Sequence, residues 1–126
     1  MTQHNADIVR SWFDRWNAGE RDTFDDEMHP EAEIVSAFLG GAHRGPGALH
    51  SWFGEIEDQF DEWVVLTEDF HEAGERVAVL GKVRLRGRGS GVSFESPVGF
   101  LFEIRDGKLA RLQTFVENPR EAVDQM

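Results

Sequence analysis

The sequence predicts an α+β domain, in which a long curved antiparallel sheet wraps around helices from the first half of the chain. Two amphipathic segments with helical periodicity lie before residue 61, and four alternating segments joined by short turns follow. With ten Phe, four Trp and no Cys among 126 residues, the core depends on packing alone, so we predict one domain over residues 1–126. A strongly curved sheet leaves an apolar cavity open at one end, so we predict a cone-shaped barrel.

Three helices are predicted in the first half of the chain, over residues 5–18, 22–28 and 49–60. In the first and third, apolar residues recur at helical spacing and charged residues occupy the opposite side. The second is short, and it stops because Pro30 disfavours helical geometry in His29, the residue before it.

The remaining elements are strands and one short helix. Alternation of apolar and polar residues predicts strands over residues 32–38, 63–72, 76–86, 92–105 and 108–116. Asp106 and Gly107 both tolerate positive φ, so they predict a tight hairpin between the last two strands. Asn118, Pro119 and Glu121 resemble a cap, a first-turn proline and an acidic third position, which predicts a short C-terminal helix.

Charge and composition exclude several classes of function. The net charge of −11 repels phosphate backbones and anionic membranes, so we predict no nucleic-acid or membrane partner. The first residues lack a basic start and an apolar stretch, which favours a cytoplasmic protein. The five histidines include no pair four residues apart and have no cysteine beside them, so we predict neither a metal nor a cofactor.

Several short motifs, taken in order, resemble the nuclear transport factor 2-like superfamily, whose members share a cone-shaped fold. These motifs are residues 16–20 (Trp-Asn-Ala-Gly-Glu), 29–31 (His-Pro-Glu), 44–45 (Arg-Gly) and 106–109 (Asp-Gly-Lys-Leu). Within that superfamily, residues 89–92 and 117–122 resemble SnoaL-like domains. The resemblance spans nearly the whole chain and implies the fold, but the superfamily contains isomerases, cyclases, hydrolases and non-catalytic binding modules.

The resemblance also allows two known mechanisms to be tested on this chain. Ketosteroid isomerases of this fold need a carboxylate base, a Tyr and a neutral carboxylic acid. The matching positions here are Ser36 for the base, Trp12 for the Tyr, and Phe100 or Gly99 for the acid. None of these can supply the required group, so we predict no ketosteroid isomerase activity.

Limonene epoxide hydrolases of this fold use an Arg between two Asp. The matching positions are Lys82, Arg84 and Thr114, so this mechanism is also predicted to be absent. If the match is correct, Lys82 and Arg84 point into the cone and contact an anion. The alternation of this strand favours the opposite interpretation, a solvated stripe of cations.

Two weaker catalytic candidates remain. SnoaL cyclases are similar proteins that use an Asp as general acid and base, and Glu117 ends the last predicted strand where relatives carry Asp. The alternative for Glu117 is a structural role at the start of the terminal helix. His43 lies near the expected mouth of the cavity, where it is either a proton shuttle or a polar rim residue.

The predicted ligand pocket consists of residues that fall on the helix-facing side of their elements. They are Trp12, Ser36, Phe38, Val98, Phe100, Leu112 and Thr114. Ser36 and Thr114 are the uncharged polar members, suited to orienting one oxygen of an apolar ligand.

The sequence therefore favours binding of a small, largely apolar molecule. The alternatives are a SnoaL-like cyclase, isomerase or hydrolase, and a dimeric interaction module with a filled cavity. We also predict a homodimer through the outer face of the sheet, because Phe115 and Leu101 would otherwise form an exposed apolar patch.

Overall fold

One curved six-stranded sheet wraps around two helices, and a short third helix packs on its outer face. The computed structural model describes residues 5–20, 25–37, 42–45 and 47–126. In chain order the elements are α1 (Asn5–Asn17), a 3₁₀ turn (Asp25–Glu27), β1 (Met28–Val35), β2 (Ala42–Arg44), α2 (Ala48–Gln59), β3 (Phe60–Ala73), β4 (Arg76–Gly87), β5 (Ser93–Arg105), β6 (Lys108–Phe115) and α3 (Glu121–Asp124).

The sheet is not closed, and its strand order is β2-β1-β6-β5-β4-β3. The pairs β3–β4, β4–β5 and β5–β6 are antiparallel, as the hairpin signals predict. β1 instead pairs in parallel with β6, which joins the first strand to the last. Helix α2 contacts β3 at one edge and β1 and β2 at the other, so it bridges the open side of the sheet.

The last four predicted strands are confirmed, because β3, β4, β5 and β6 overlap their predicted ranges almost completely. The hairpin between β5 and β6 also forms as predicted, with Asp106 at φ 55° and Gly107 at φ 75°. These positive φ values match the twist of the flanking strands, which is why an Asp-Gly pair specifies this turn.

The segment around Pro30 differs from the prediction. Residues 25–27 form a 3₁₀ turn and β1 begins at Met28, so a helix reaching Met28 is wrong; residues 22–24 lie outside the described part. The pairing of β1 with β6 is irregular between Met28 and Glu33. Pro30 lies in this irregular stretch, where its missing N–H interrupts no regular ladder.

Helix α1 is fixed to β3 and the β3–β4 turn by hydrogen bonds at both ends. The Asn5 side chain donates to the Gly74 carbonyl at 2.9 Å. At the other end, the Asn17 amide donates to the Val65 carbonyl at 2.7 Å and accepts from the Val65 N–H at 2.9 Å. These bonds hold α1 across one end of the concave inner face, which we call the base of the cone.

The base is filled by aromatic side chains. Phe13 of α1 lies 5.0 Å from Phe100 and 5.6 Å from Phe102, measured between ring centroids, in edge-to-face arrangements. Trp16 packs against Phe13 at 4.9 Å in the same way. Such pairs stabilise a core by more than their buried area alone.

The outer face of the sheet behind the base is covered by α3. Leu101 and Phe115 are each only 7% exposed, because they pack in one cluster with Ala122. The patch used to predict a homodimer is thus covered by the chain's own last helix, and the homodimer stays a prediction. The predicted side-chain cap of α3 is wrong, since the helix begins after Arg120 without a side-chain capping bond.

Candidate functional site

Four of the predicted pocket residues are packed in the core. Val98, Phe100 and Leu112 are fully buried, and Trp12 is almost so. The Trp12 indole N–H donates to Glu27 Oε1 at 3.2 Å, and its ring lies 5.9 Å from that of Phe102. These four side chains do not belong to the lining of either surface cleft described below.

The two predicted polar pocket residues lie next to each other at the end of the β1–β6 pair. Ile34 pairs with Leu112 and Val35 with Gln113, so Ser36 falls beside Thr114 on the core-facing side, and both are buried. The Thr114 hydroxyl oxygen accepts a hydrogen bond from the Ala37 N–H at 2.7 Å. Phe38, the remaining predicted member, lies outside the described residues.

An apolar cleft opens at the end of the inner face opposite the base, and we call it the mouth cleft. It has a volume of about 240 Å³ and is lined by Ala37, Phe60, Leu85, Phe94, Ser96 and Val116. Its lining among the described residues carries no charge, and Ser96 supplies the polar side chain. The volume lies just below the roughly 300 to 1,000 Å³ of typical ligand sites, which suits a molecule of one or two rings.

Phe94 is the most unusual residue of this cleft, because 46% of it is exposed although it belongs to the inner face. It has the same parity along β5 as Val98 and Phe100, which are fully buried, and it pairs with Leu85 of β4. Phe13 of helix α1 packs on Phe100, whereas Phe94 keeps nearly half of its surface exposed. The inner face therefore changes from a packed core to an accessible apolar surface along one strand.

A second cleft of about 230 Å³ adjoins the mouth cleft and shares Ala37 and Val116 with it. Thr114 and Glu117 both line this second cleft, together with residues around the start of α3. Glu117 is exposed, and it makes no capping bond to α3. The structure thus brings Thr114 and Glu117 to the same cleft, on the solvent side of the buried core.

His43 occupies a different position. It lies in β2 opposite Ile34, and its Nε2 is 3.2 Å from Glu55 Oε2 of α2. This contact links β2 to α2, and the role of His43 as a proton shuttle or a rim residue stays a prediction.

The predicted anion contacts, Lys82 and Arg84, are exposed on the outer face of β4, while Val83 and Leu85 are buried on the inner face. The prediction of a solvated stripe is confirmed, and the placement of these cations inside the cone is wrong. Arg84 is 3.4 Å from Glu95 across the β4–β5 pair. The hydrogen bond from Arg86 to Asp61 raises the pKa of the guanidinium, which stays charged.

The described residues include neither a metal-binding cluster nor a membrane-spanning helix. They contain no group of three or more His, Asp or Glu side chains placed to hold a metal ion. Their helices include none with the length and apolar character of a membrane span.

Comparison with known families shows to which protein family the chain belongs. The sequence model of the SnoaL-like domain matches residues 9–112, which is most of the chain. The chain belongs to the SnoaL-like domain family. No curated protein is similar enough to this SnoaL-like domain to count as a match.

Solved structures show the same fold. A nuclear transport factor 2-like protein from Burkholderia pseudomallei superposes with a TM-score of 0.82 at 17% identity, covering 98% of this chain and 97% of its own. A protein with a ketosteroid isomerase-like fold from Catenulispora acidiphila gives a TM-score of 0.78 at 17% identity, covering 86% and 83%. A protein described as a SnoaL-like polyketide cyclase from Jannaschia gives 0.73 at 25% identity, covering 90% and 85%. This SnoaL-like domain therefore has the nuclear transport factor 2-like, ketosteroid isomerase-like fold.

The sequence analysis did not predict the mouth cleft of this SnoaL-like domain, although the alternation along β5 indicates part of its lining. Phe94 and Ser96 precede Val98 and Phe100 by steps of two along one strand, so alternation alone places all four on the same face. The alternation could not show that α1 covers only one end of that face. Phe60 and Val116 come from distant parts of the chain, and only the order of the strands in the curved sheet brings them together.

Proposed function

We propose that this SnoaL-like domain binds a small, largely apolar molecule in the mouth cleft. The observation that carries the proposal is the exposure of Phe94 on the inner face, beside the apolar walls formed by Leu85 and Phe60. An exposed aromatic side chain in a concave apolar site gains from being covered by a ligand, because its remaining surface leaves water.

The character of the interior favours binding over catalysis. Among the described residues, Ser36 and Thr114 are the buried polar ones, and neither ionises in the ordinary pH range. General acid–base chemistry needs a titratable group within reach of the substrate. The buried part of this fold therefore offers orientation of a ligand oxygen rather than proton transfer.

A cyclase-like reaction is the second candidate, and the observation in its favour is the position of Glu117. This carboxylate lines the cleft that adjoins the mouth cleft, so a ligand extending past Val116 would reach it. Glu117 is exposed to water, whereas a carboxyl group that works near neutral pH is usually tuned by burial. Binding is accordingly the simpler conclusion.

A panel of bicyclic probes tests the proposal: tetralin, naphthalene and 1-tetralone, titrated into ¹⁵N-labelled protein and followed by amide chemical shifts. We expect saturable shifts at mouth-cleft residues for at least one probe. Phe94→Ala should weaken binding about fivefold, because part of an aromatic contact surface is lost.

Val92→Ala is the matched control, since Val92 is 61% exposed, lies two residues from Phe94 and does not line the mouth cleft. Its affinity should stay within about twofold of the wild type. Absence of saturable binding by every probe, or shifts that map away from the cleft, would overturn the proposal.

A further inference from the structure

One arginine connects the turn between β4 and β5 to the end of helix α2. We call residues 87–92 of this turn the hairpin tip; their sequence is Gly-Arg-Gly-Ser-Gly-Val. The Arg88 guanidinium donates to the Glu57 carbonyl, from Nε at 2.9 Å and from Nη2 at 2.6 Å. The Arg88 backbone N–H donates to the Gln59 carbonyl at 2.9 Å. Both carbonyls at the end of α2 therefore accept hydrogen bonds from this one residue.

The end of α2 requires donors and a positive charge from elsewhere in the chain. The last four carbonyls of a helix have no partner within it, and the negative end of the helix dipole favours a cation. The last turn of α2 contains no basic residue, and its final residues include Glu55, Glu57 and Asp58. Arg88 supplies both the donors and the positive charge, so this contact stabilises the end of α2.

The other residues of the hairpin tip make no hydrogen bond to α2 in the part of the chain that the structure describes. The hydrogen bonds of Ser90, Gly91 and Val92 stay within residues 87–92. Gly89 and Gly91 have φ values of 89° and 70°, in a region that glycine adopts without steric cost. The connection of this glycine-rich tip to α2 therefore depends on Arg88.

Both sides of this connection carry residues of the mouth cleft. Leu85 precedes the hairpin tip and Phe94 follows it, and the two pair across β4 and β5. On the other side, Phe60 directly follows α2 and pairs with Gly87. The Phe60 carbonyl oxygen lies 3.5 Å from Nη2 of Arg88. Arg88 thus joins the hairpin side of the cleft to Phe60 at the end of α2.

Phe94 is the cleft residue whose position depends most on a fixed hairpin. It is 46% exposed, whereas its neighbour Leu85 is 4% exposed. A side chain with less buried contact is held less firmly by packing, so the backbone that carries it must be held instead. A wall that is already in place before the ligand enters also lowers the entropic cost of binding.

From these contacts we infer that Arg88 is a positioning residue that sets the width of the mouth cleft, and with it the size of the ring compound that binds. The inference rests on the proposed binding function and adds a residue that determines specificity. While Arg88 holds the hairpin tip, Phe94 stays close to Phe60, and a cleft of about 240 Å³ fits two rings better than three. Without Arg88 the tip is free to move away from α2, and the cleft loses this preference.

The test compares two ketones that differ in ring number, 1-tetralone with two rings and 9-fluorenone with three, on the intact chain. The wild type should bind 1-tetralone about tenfold more tightly, although 9-fluorenone has the larger apolar surface. Arg88→Ala should reduce this ratio to about twofold or less. The ratio is the decisive measurement, because partial unfolding of a variant weakens the binding of both ketones equally.

Two further variants separate the contact from the charge. Arg88→Lys keeps the positive charge but loses the forked donation to Glu57, so it should restore part of the ratio. Arg84→Ala is the matched control, because it also removes an exposed arginine, and the ion pair of Arg84 is to Glu95 on the neighbouring strand. Its ratio should equal that of the wild type.

Amide order parameters of the wild type test the inference even where a variant fails to fold. Those of the hairpin tip should be about 0.85, as in rigid backbone, and should fall below about 0.6 in Arg88→Ala. A wild type that does not prefer 1-tetralone, an unchanged ratio in Arg88→Ala, or a wild-type tip below about 0.6 overturns the inference and leaves the mouth cleft as a binding site. Failure of the wild type to bind either ketone overturns the proposed function itself, and the inference with it.

Discussion

The two ends of the inner face of the sheet contain the same kinds of side chain and differ in what covers them. At the base, Phe100 is fully buried beneath Phe13 of α1, and α3 closes the outer face behind it. At the mouth, Phe94 on the same strand and the same face remains 46% exposed. Alternation thus selects the face on which a side chain lies, whereas the placement of the helices decides whether that side chain becomes core or stays accessible.

The largest effect that separates the two ends is expected from truncating their aromatic residues. Phe100→Ala should lower the free energy of unfolding by about 3 to 5 kcal/mol, because it removes a buried ring and leaves a cavity. Phe94→Ala should change it by less than about 1 kcal/mol, since the exposed ring makes fewer contacts. Urea unfolding monitored by tryptophan fluorescence measures both, and similar losses for the two variants would erase the proposed distinction.

The outer cover of the base is expected to depend on Gly99. A Cβ at this position would lie 2.2 Å from the Pro119 carbonyl oxygen, where the chain crosses β5 on its way to α3. Gly99→Ala should therefore displace this crossing and destabilise the fold by about 1 to 3 kcal/mol. Increased amide exchange at α3 would show that the cover over Leu101 and Phe115 has loosened.

Gly54→Ala is the control for that substitution, because a Cβ there meets nothing within 4 Å and Gly54 lies inside α2. It should stabilise the protein by about 0.5 to 1 kcal/mol through helix propensity. If Gly99→Ala is as well tolerated as Gly54→Ala, the close approach at Pro119 does not hold the cover in place.

The smallest of these effects is expected at Thr114, on the boundary between packed core and open cleft. Thr114→Val keeps the shape but removes the acceptor of the Ala37 N–H, and it should cost about 1 kcal/mol. Thr114→Ser retains the hydroxyl and should preserve protection of the Ala37 amide in hydrogen exchange. Equal protection of that amide in the Val and Ser variants would show that the bond does not hold β1 to β6.

Much of this structure follows from local patterns in the sequence. The alternation over residues 76–105 specified two strands and put Val83, Phe100 and Phe102 inward and Lys82 outward, because side chains alternate strictly along a strand. The Asp106-Gly107 pair specified its own hairpin, since positive φ is a local property. Helix α1 follows in the same way from its apolar periodicity.

The position of the open cleft depends instead on contacts between distant parts of the chain. The parallel pairing of β1 with β6 joins residues far apart in the chain, and no local propensity encodes it. That pairing places Ala37 beside Val116, and the two bonds between Asn17 and Val65 hold α1 over the base rather than the mouth. Local patterns indicate on which face of a strand a side chain lies. Its exposure to solvent depends on which distant element packs over it, and only long-range packing determines that element's position.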